Sequence, residues 1–193
     1  MTQIIGISGR KQSGKSTCAD YIANITSKNN KICKIYSFAD PLKQDICMNI
    51  LGLTEQQCYG TDDDKNTLTD TYWDNKQLTA RELMQFIGTD ILRKMQSQVW
   101  VNATINKIKK DNVDIAIVAD CRFPNEVSKI IENNGIVIRL TRDLFHSDHV
   151  SEVALDLDKY DWINFSRIIP NHNLSIPEQN KLIYDYLSSI NLI

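Results

Sequence analysis

The chain has 193 residues, 42% of them hydrophobic, with 22 Lys and Arg against 24 Asp and Glu, a formal net charge of −2. That length suits one domain of about 100–200 residues whose core needs no disulfide or metal staple, and the composition excludes disorder and a coiled coil. The near-neutral balance excludes a broad nucleic-acid-binding surface, and no apolar run nears the ~20 residues that span a bilayer. The first expected strand, Gln3–Ser8, has no basic-then-apolar leader before it, which predicts a cytoplasmic protein. A helix over Lys15–Ser27 follows, with Cys18, Tyr21, Ile22 and Ile25 at helical spacing. After the strand Lys31–Phe38, Asp40 reads as an N-cap and Pro41 as the first residue of a helix that stops at Gly52. From Gly52 to Leu78 the composition shifts to Thr, Asp and Asn, including Asp62-Asp63-Asp64, and reads as a solvated loop or small excursion; EF-hand spacing is absent. Thr79-Ala80-Arg81-Glu82 forms a capping box opening a helix to about Met95. The strand Asp114–Ala119, a helix over Pro124–Asn134 ending at Gly135, and the strand Ile136–Thr141 come next. Asp143–Asp161 is polar without a clear period, and Ser166–Pro170 is a weaker fifth strand.

The strands are short runs of Ile, Val, Tyr and Phe without strict alternation, as expected when both faces are covered in a parallel sheet. Helices between them predict an α/β doubly wound architecture. The five cysteines lie at least 11 residues apart, with no CxxC pair and no zinc pattern. Reduced, mostly buried thiols are expected.

The strongest motif is Gly9-Arg10-Lys11-Gln12-Ser13-Gly14-Lys15-Ser16, which fits GxxxxGK[ST] without mismatch between a strand and an amphipathic helix. Its glycines let successive amides turn toward phosphate oxygens, and the helix N-terminus adds partial positive charge. Lys15 is placed to reach the β- and γ-phosphates and the Ser16 hydroxyl to ligate Mg²⁺; Thr17 follows as an α-phosphate contact. The motif indicates nucleoside triphosphate binding and leaves its use open.

Ligands of open α/β sheets lie at the carboxyl ends of the strands. Asp120, closing the third strand, is placed like a Walker B carboxylate, and Arg122 points back into the same crevice. Arg139 lies inside the fourth strand and Arg142 just past it. On the Thr79 helix, Arg81, Gln85 and Gly88 share one face. An interior Gly88-Thr89 costs about 1 kcal/mol and marks a close approach by a ligand or another backbone; helix packing explains it equally well. Trp100 by itself reads as core.

In their order and spacing these pieces resemble the phage-type deoxynucleoside monophosphate (dNMP) kinases. The matching pieces are the loop Gly9–Thr17, Pro41-Leu42-Lys43, Arg81-Glu82-Leu83-Met84-Gln85 with Gly88-Thr89-Asp90, Trp100, Asp120-x-Arg122 with Glu126, and His149-Val150-Ser151-Glu152. They cover residues 3 to about 155. The resemblance implies a single P-loop kinase domain over 1–193, with a doubly wound parallel sheet of about five strands and helices on both faces. An acceptor-binding excursion is expected over about 52–110 and a lid-like segment over about 143–161. It implies transfer of the ATP γ-phosphoryl group to a dNMP, with Mg²⁺ held by Ser16 and Asp120 directly or through water. Ser13, Gly14, Lys15, Ser16 and Thr17 are then on the ATP side. Lys11, Lys43, Arg81, Gly88, Thr89, Trp100, Asp120, Arg122 and Glu126 are on the dNMP side. Lys15, Asp120, Arg122 and Arg142 are the expected catalytic groups, and His149 and Glu152 fall in the lid. Partners are then ATP and dNMP, without nucleic acid or membrane, in the host cytoplasm if the source is viral; a homodimer stays open. The alternatives are a P-loop kinase for dephospho-coenzyme A or a nucleoside, and an NTP-driven switch.

Overall fold

The computed structural model describes residues 2–144 and 147–193. Its strands are β1 (Gln3–Ser8), β2 (Cys33–Tyr36), β3 (Leu68–Trp73), β4 (Lys76–Thr79), β5 (Ile115–Cys121), β6 (Ile136–Leu140) and β7 (Arg167–Ile169). The chain divides into two compact units, one made of Met1–Ser37 with Ile105–Ile193 and the other of Phe38–Thr104. Sequence alone set the excursion at 52–110; the division falls earlier at both ends.

In the first unit five strands form one sheet in the order β2-β5-β1-β6-β7, every pair parallel. This is the architecture that the continuous apolar runs predicted. Ile5 and Ile7 of β1, Ile115 and Ile117 of β5, and Ile138 and Leu140 of β6 face one side. There they meet Cys18, Ala19 and Ile22 of the helix Lys15–Lys28 and Ile183 and Leu187 of the helix Ile176–Ser189. On the other side Gly6 allows the helix Pro124–Glu132 to lie close, because a Cβ on Gly6 would sit 2.6 Å from Ile130 Cδ1. Helices therefore cover both faces.

The second unit contains structure that the composition of Gly52–Leu78 concealed. Two short helices, Glu55–Tyr59 and Asp62–Lys65, each start with a capping box, from Thr54 to Gln57 and from Thr61 to Asp64. Strands β3 and β4 pair antiparallel around Asp74 and Asn75, whose φ angles of 51° and 63° are those of a two-residue turn matched to strand twist. The segment is thus folded, not a solvated loop. Asp40 does not cap the helix Pro41–Met48. Its own backbone is already helical (φ −60°, ψ −44°), and its carboxylate accepts the Tyr59 hydroxyl at 2.9 Å. This helix is wide, with bonds such as Asn49 N to Gln44 O at 3.1 Å.

Thr79 caps the helix Ala80–Gln85 through the expected box. The backbone then widens over Phe86–Arg93. Gly88 sits in that stretch because a Cβ would meet Leu42 Cδ2 at 2.5 Å. The Gly88 carbonyl accepts the Trp100 indole at 2.9 Å, and Trp100 is buried. Of the two explanations the sequence left for Gly88, close packing is the one these contacts supply. The helix Val99–Asp111 begins in the second unit and ends in the first.

All five cysteines are free, and Cys18, Cys47, Cys58 and Cys121 are buried. Burial raises the thiol pKa of Cys18 to about 12 and of Cys47 to about 11, and lifts Cys58 and Cys121 as well. No helix among the described residues is long and apolar enough to cross a membrane.

Candidate active site

In the first unit the glycine-bearing loop leaves β1 and enters the helix Lys15–Lys28, as the motif requires. Gly14 takes the left-handed conformation (φ 96°, ψ 18°), and no side chain among the described residues caps the helix start. The loop can turn there only at low cost with glycine, and uncapped first-turn amides form a ready anion site. A Cβ on Gly9 would overlap the Ser13 hydroxyl, so the loop closes on itself tightly. The Ser13 hydroxyl is buried without a hydrogen-bond partner among the described residues, and the Ser13 amide donates to Arg10 O at 3.2 Å.

Lys15 Nζ donates to the carbonyls of Gly9 at 2.8 Å and Arg10 at 2.6 Å, so the ammonium spans the loop. Burial, aided by the nearby Arg122 charge, lowers its pKa from the ordinary 10.5 to about 8; Glu152 and Asp120 oppose that shift. Asp120 lies within β5, which extends through Cys121, two residues further than expected. Its carboxylate accepts the Ser37 hydroxyl at 2.5 Å. Ser16 is exposed and Thr17 half-buried on the first turn of the helix.

Charges of the 143–161 segment lie against this loop. Glu152, on the one-turn helix Val150–Val153, accepts the Lys11 amide at 2.7 Å and pairs with the Arg122 guanidinium. Asp156 accepts Arg10 Nη2 at 2.5 Å and Nε at 3.2 Å, and Asp143 lies 3.1 Å from Arg10 Nη1. His149 caps the Val150 turn, its Nδ1 lying 2.8 Å from Ser151 Oγ. Residues 145 and 146 of the expected lid lie outside the described residues. The buried Arg139 donates to Ser8 Oγ at 2.9 Å and lies 3.6 Å from Asp156; burial lowers its pKa. No sequence pattern distinguishes Arg10 or Asp156. Arg10 was hidden among the variable positions of the motif, and Asp156 in a stretch with no period.

Several expected site residues have other work. The Arg142 guanidinium donates to Asn171 O at 3.0 Å and Leu174 O at 2.7 Å, so in this structure it fastens the 171–174 turn. The buried Glu126 accepts the amides of Arg122 at 2.6 Å and Phe123 at 3.0 Å, bracing the turn that carries Arg122. In the second unit Arg81 is held by Asp62 at 2.7 Å and Asn66 at 3.0 Å, which aims its guanidinium. Lys43 Nζ lies 4.3 Å from the centre of the Tyr59 ring, and Thr89 sits half-buried on the widened turn beside Gly88. Trp100 is core, as its residue type by itself suggested.

Among the described residues no group of three or more His, Cys, Asp or Glu is assembled to hold a metal. The Ser16 hydroxyl and Asp120 carboxylate are nonetheless hard oxygen donors of the type that magnesium takes together with substrate phosphates. β5 runs parallel to β1 with Cys121 paired to Ser8, so Asp120 stands at the strand end from which the loop leaves. The donor set fits the ion.

A profile of the family described as deoxynucleotide monophosphate kinase matches residues 53–167. A putative deoxynucleotide monophosphate kinase of Acanthamoeba polyphaga mimivirus is 32% identical, over 82% of this chain and 85% of that protein. The deoxynucleoside-5'-monophosphate kinase of Escherichia phage T5 is 23% identical, over 85% of this chain and 92% of its own. Among solved structures, shikimate kinase from Acinetobacter baumannii superposes with a TM-score of 0.54 at 9% identity, covering 100% of this chain and 97% of that one. At that identity the likeness speaks for the fold alone.

Proposed function

Because the chain belongs to the deoxynucleotide monophosphate kinase family, we propose that it moves the γ-phosphoryl group of ATP to a deoxynucleoside monophosphate. An acceptor phosphate oxygen bonds to the γ-phosphorus, the bond to the β–γ bridging oxygen breaks, and ADP leaves with the electron pair. Such a transfer needs in-line positioning and charge neutralisation more than covalent help from the protein. The acceptor phosphate is already a nucleophile, so no dedicated base is required.

The observation that carries this reading is the Glu152 carboxylate, held at once by the Lys11 amide of the loop and by Arg122 after β5. A carboxylate there stands in for a phosphate: donors from the loop and from the next strand end converge on one anion. Lys15 neutralises charge on the donor side, and the loop amides with the Lys15 helix hold the donor phosphates. Ser16 and Asp120 would hold Mg²⁺, which would supply charge neutralisation to the transferring group when bound. Arg81 in the second unit, aimed by Asp62 and Asn66, is on the acceptor side with Lys43. Arg142 acts through the 171–174 turn. The 143–161 segment excludes water, the competing acceptor. The reduced thiols suit the cytoplasm.

An acceptor panel tests the reading: ATP and Mg²⁺ with each dNMP, each ribonucleoside monophosphate, dephospho-coenzyme A, a nucleoside, and no acceptor. Diphosphate formed from dNMP is expected, with little free phosphate. Phosphate released equally without acceptor would mark an NTP-driven switch, and phosphorylation of dephospho-coenzyme A or a nucleoside would mark a different kinase.

A further inference from the structure

We infer that Asn171, far from the motif in sequence, is a positioning residue for the phosphate loop; the inference rests on the ATP-binding reading above. Asn171 follows β7 and is fully buried. Its amide nitrogen donates to the Ser13 carbonyl at 2.9 Å and to Gln179 Oε1 at 2.6 Å. Its amide oxygen accepts the Arg142 backbone N–H at 2.8 Å. Each of these three bonds goes to a different element: the loop, the helix Ile176–Ser189, and the exit of β6.

The bond to Ser13 sets more than a carbonyl. A peptide unit is planar, and its C=O and N–H point in opposite directions. Fixing Ser13 O on Asn171 therefore turns the Gly14 N–H away from Asn171, to the opposite side of the loop. In loops of this motif that side is the concave one, where successive amides meet phosphate oxygens. Gly14 is the residue with φ 96°, and a glycine there can swing its flanking peptides with little penalty. A flexible hinge next to a required donor needs an external hold. Asn171 supplies it and is itself held by two partners, with Gln179 buried beside Gly14, its Oε1 3.4 Å from where a Cβ would stand.

The test compares Asn171→Ala with Gln179→Ala by calorimetric titration of Mg·ATP and by steady-state kinetics. Gln179→Ala removes a partner but leaves the bond to Ser13. Asn171→Ala is expected to weaken Mg·ATP binding about tenfold or more and raise the KM for ATP by a similar factor, with the KM for dNMP within about twofold. Gln179→Ala is expected to lower the Tm yet change Mg·ATP affinity less than about threefold. Equal affinity losses in the two variants, or a loss of Tm alone in Asn171→Ala, would overturn the positioning role. Where Asn171→Ala does not fold, NMR of the wild type decides: the Asn171 side-chain amide must stay protected from exchange with Mg·ATP bound, and rapid exchange overturns the role. A wild type that does not bind Mg·ATP would instead overturn the kinase reading, so the two failures are separable.

Discussion

Lys15 carries the clearest consequences at the scale of single residues. Its depressed pKa means that the ligand-free loop favours the neutral amine above about pH 8, whereas phosphate requires the ammonium. Mg·ATP binding should therefore take up no proton near pH 6.5 and approach one proton near pH 9. Affinity should fall by up to about tenfold per pH unit above 8. Calorimetry in buffers of different ionisation enthalpy measures both. For the free protein the sign is opposite: this group's contribution to stability rises with pH between about 8 and 10.5, because the unfolded chain holds the proton longer. Lys15→Ala should keep a near-native melting curve and lose about 10²–10⁴-fold in kcat/KM. Glu152→Gln tests the anion stand-in: with its charge gone, Arg122 is easier to win, and the KM for dNMP should fall about threefold to tenfold. A raised KM would show that Glu152 orients Arg122 for the acceptor. Sequence exposed Lys15 because the loop motif is local, eight residues with fixed roles. Asn171 was hidden because its partner Ser13 lies 158 positions away and no pattern links them.

Among the elements, the widened helix over Phe86–Arg93 gives the sharpest prediction. Gly88→Ala places a methyl 2.5 Å from Leu42 Cδ2, and overpacking of this kind costs about 1–3 kcal/mol. Combining it with Leu42→Ala should recover part of the lost melting temperature relative to the sum of the single changes, a coupling that a double-mutant cycle reads directly. If the two losses simply add, Gly88 is present for another reason. The capping boxes at Thr79, Thr54 and Thr61 show how far local rules reach. The first was visible because an apolar period followed it; the other two were masked by helices of only five and four residues. The β3–β4 hairpin does carry a local signal: Thr, Tyr and Trp ahead of Asp74-Asn75, two residues that tolerate positive φ. Polar composition outweighed it because the hairpin leaves Leu68, Tyr72 and Trp73 exposed, so no buried period forms.

Over the whole molecule, the parallel sheet was legible because strands covered on both faces read as unbroken apolar runs. The order β2-β5-β1-β6-β7 was not, since pairing between distant strands leaves no mark on either strand's own sequence. The division at Phe38 and Thr104 was equally hidden, because its second boundary falls inside the continuous helix Val99–Asp111. The buried thiols turn that division into something a clock can read. A thiol held above its ordinary pKa and away from solvent reacts with an alkylating reagent only when its surroundings open. Cys18 and Cys121 keep time for the unit that carries the phosphate loop, and Cys47 and Cys58 for the other. Mg·ATP at about 100 times its Kd should slow the first pair about 100-fold. If the second pair slows by the same factor, the chain opens as one cooperative body; if it keeps its rate, the second unit breathes independently of a ligand already bound to the first.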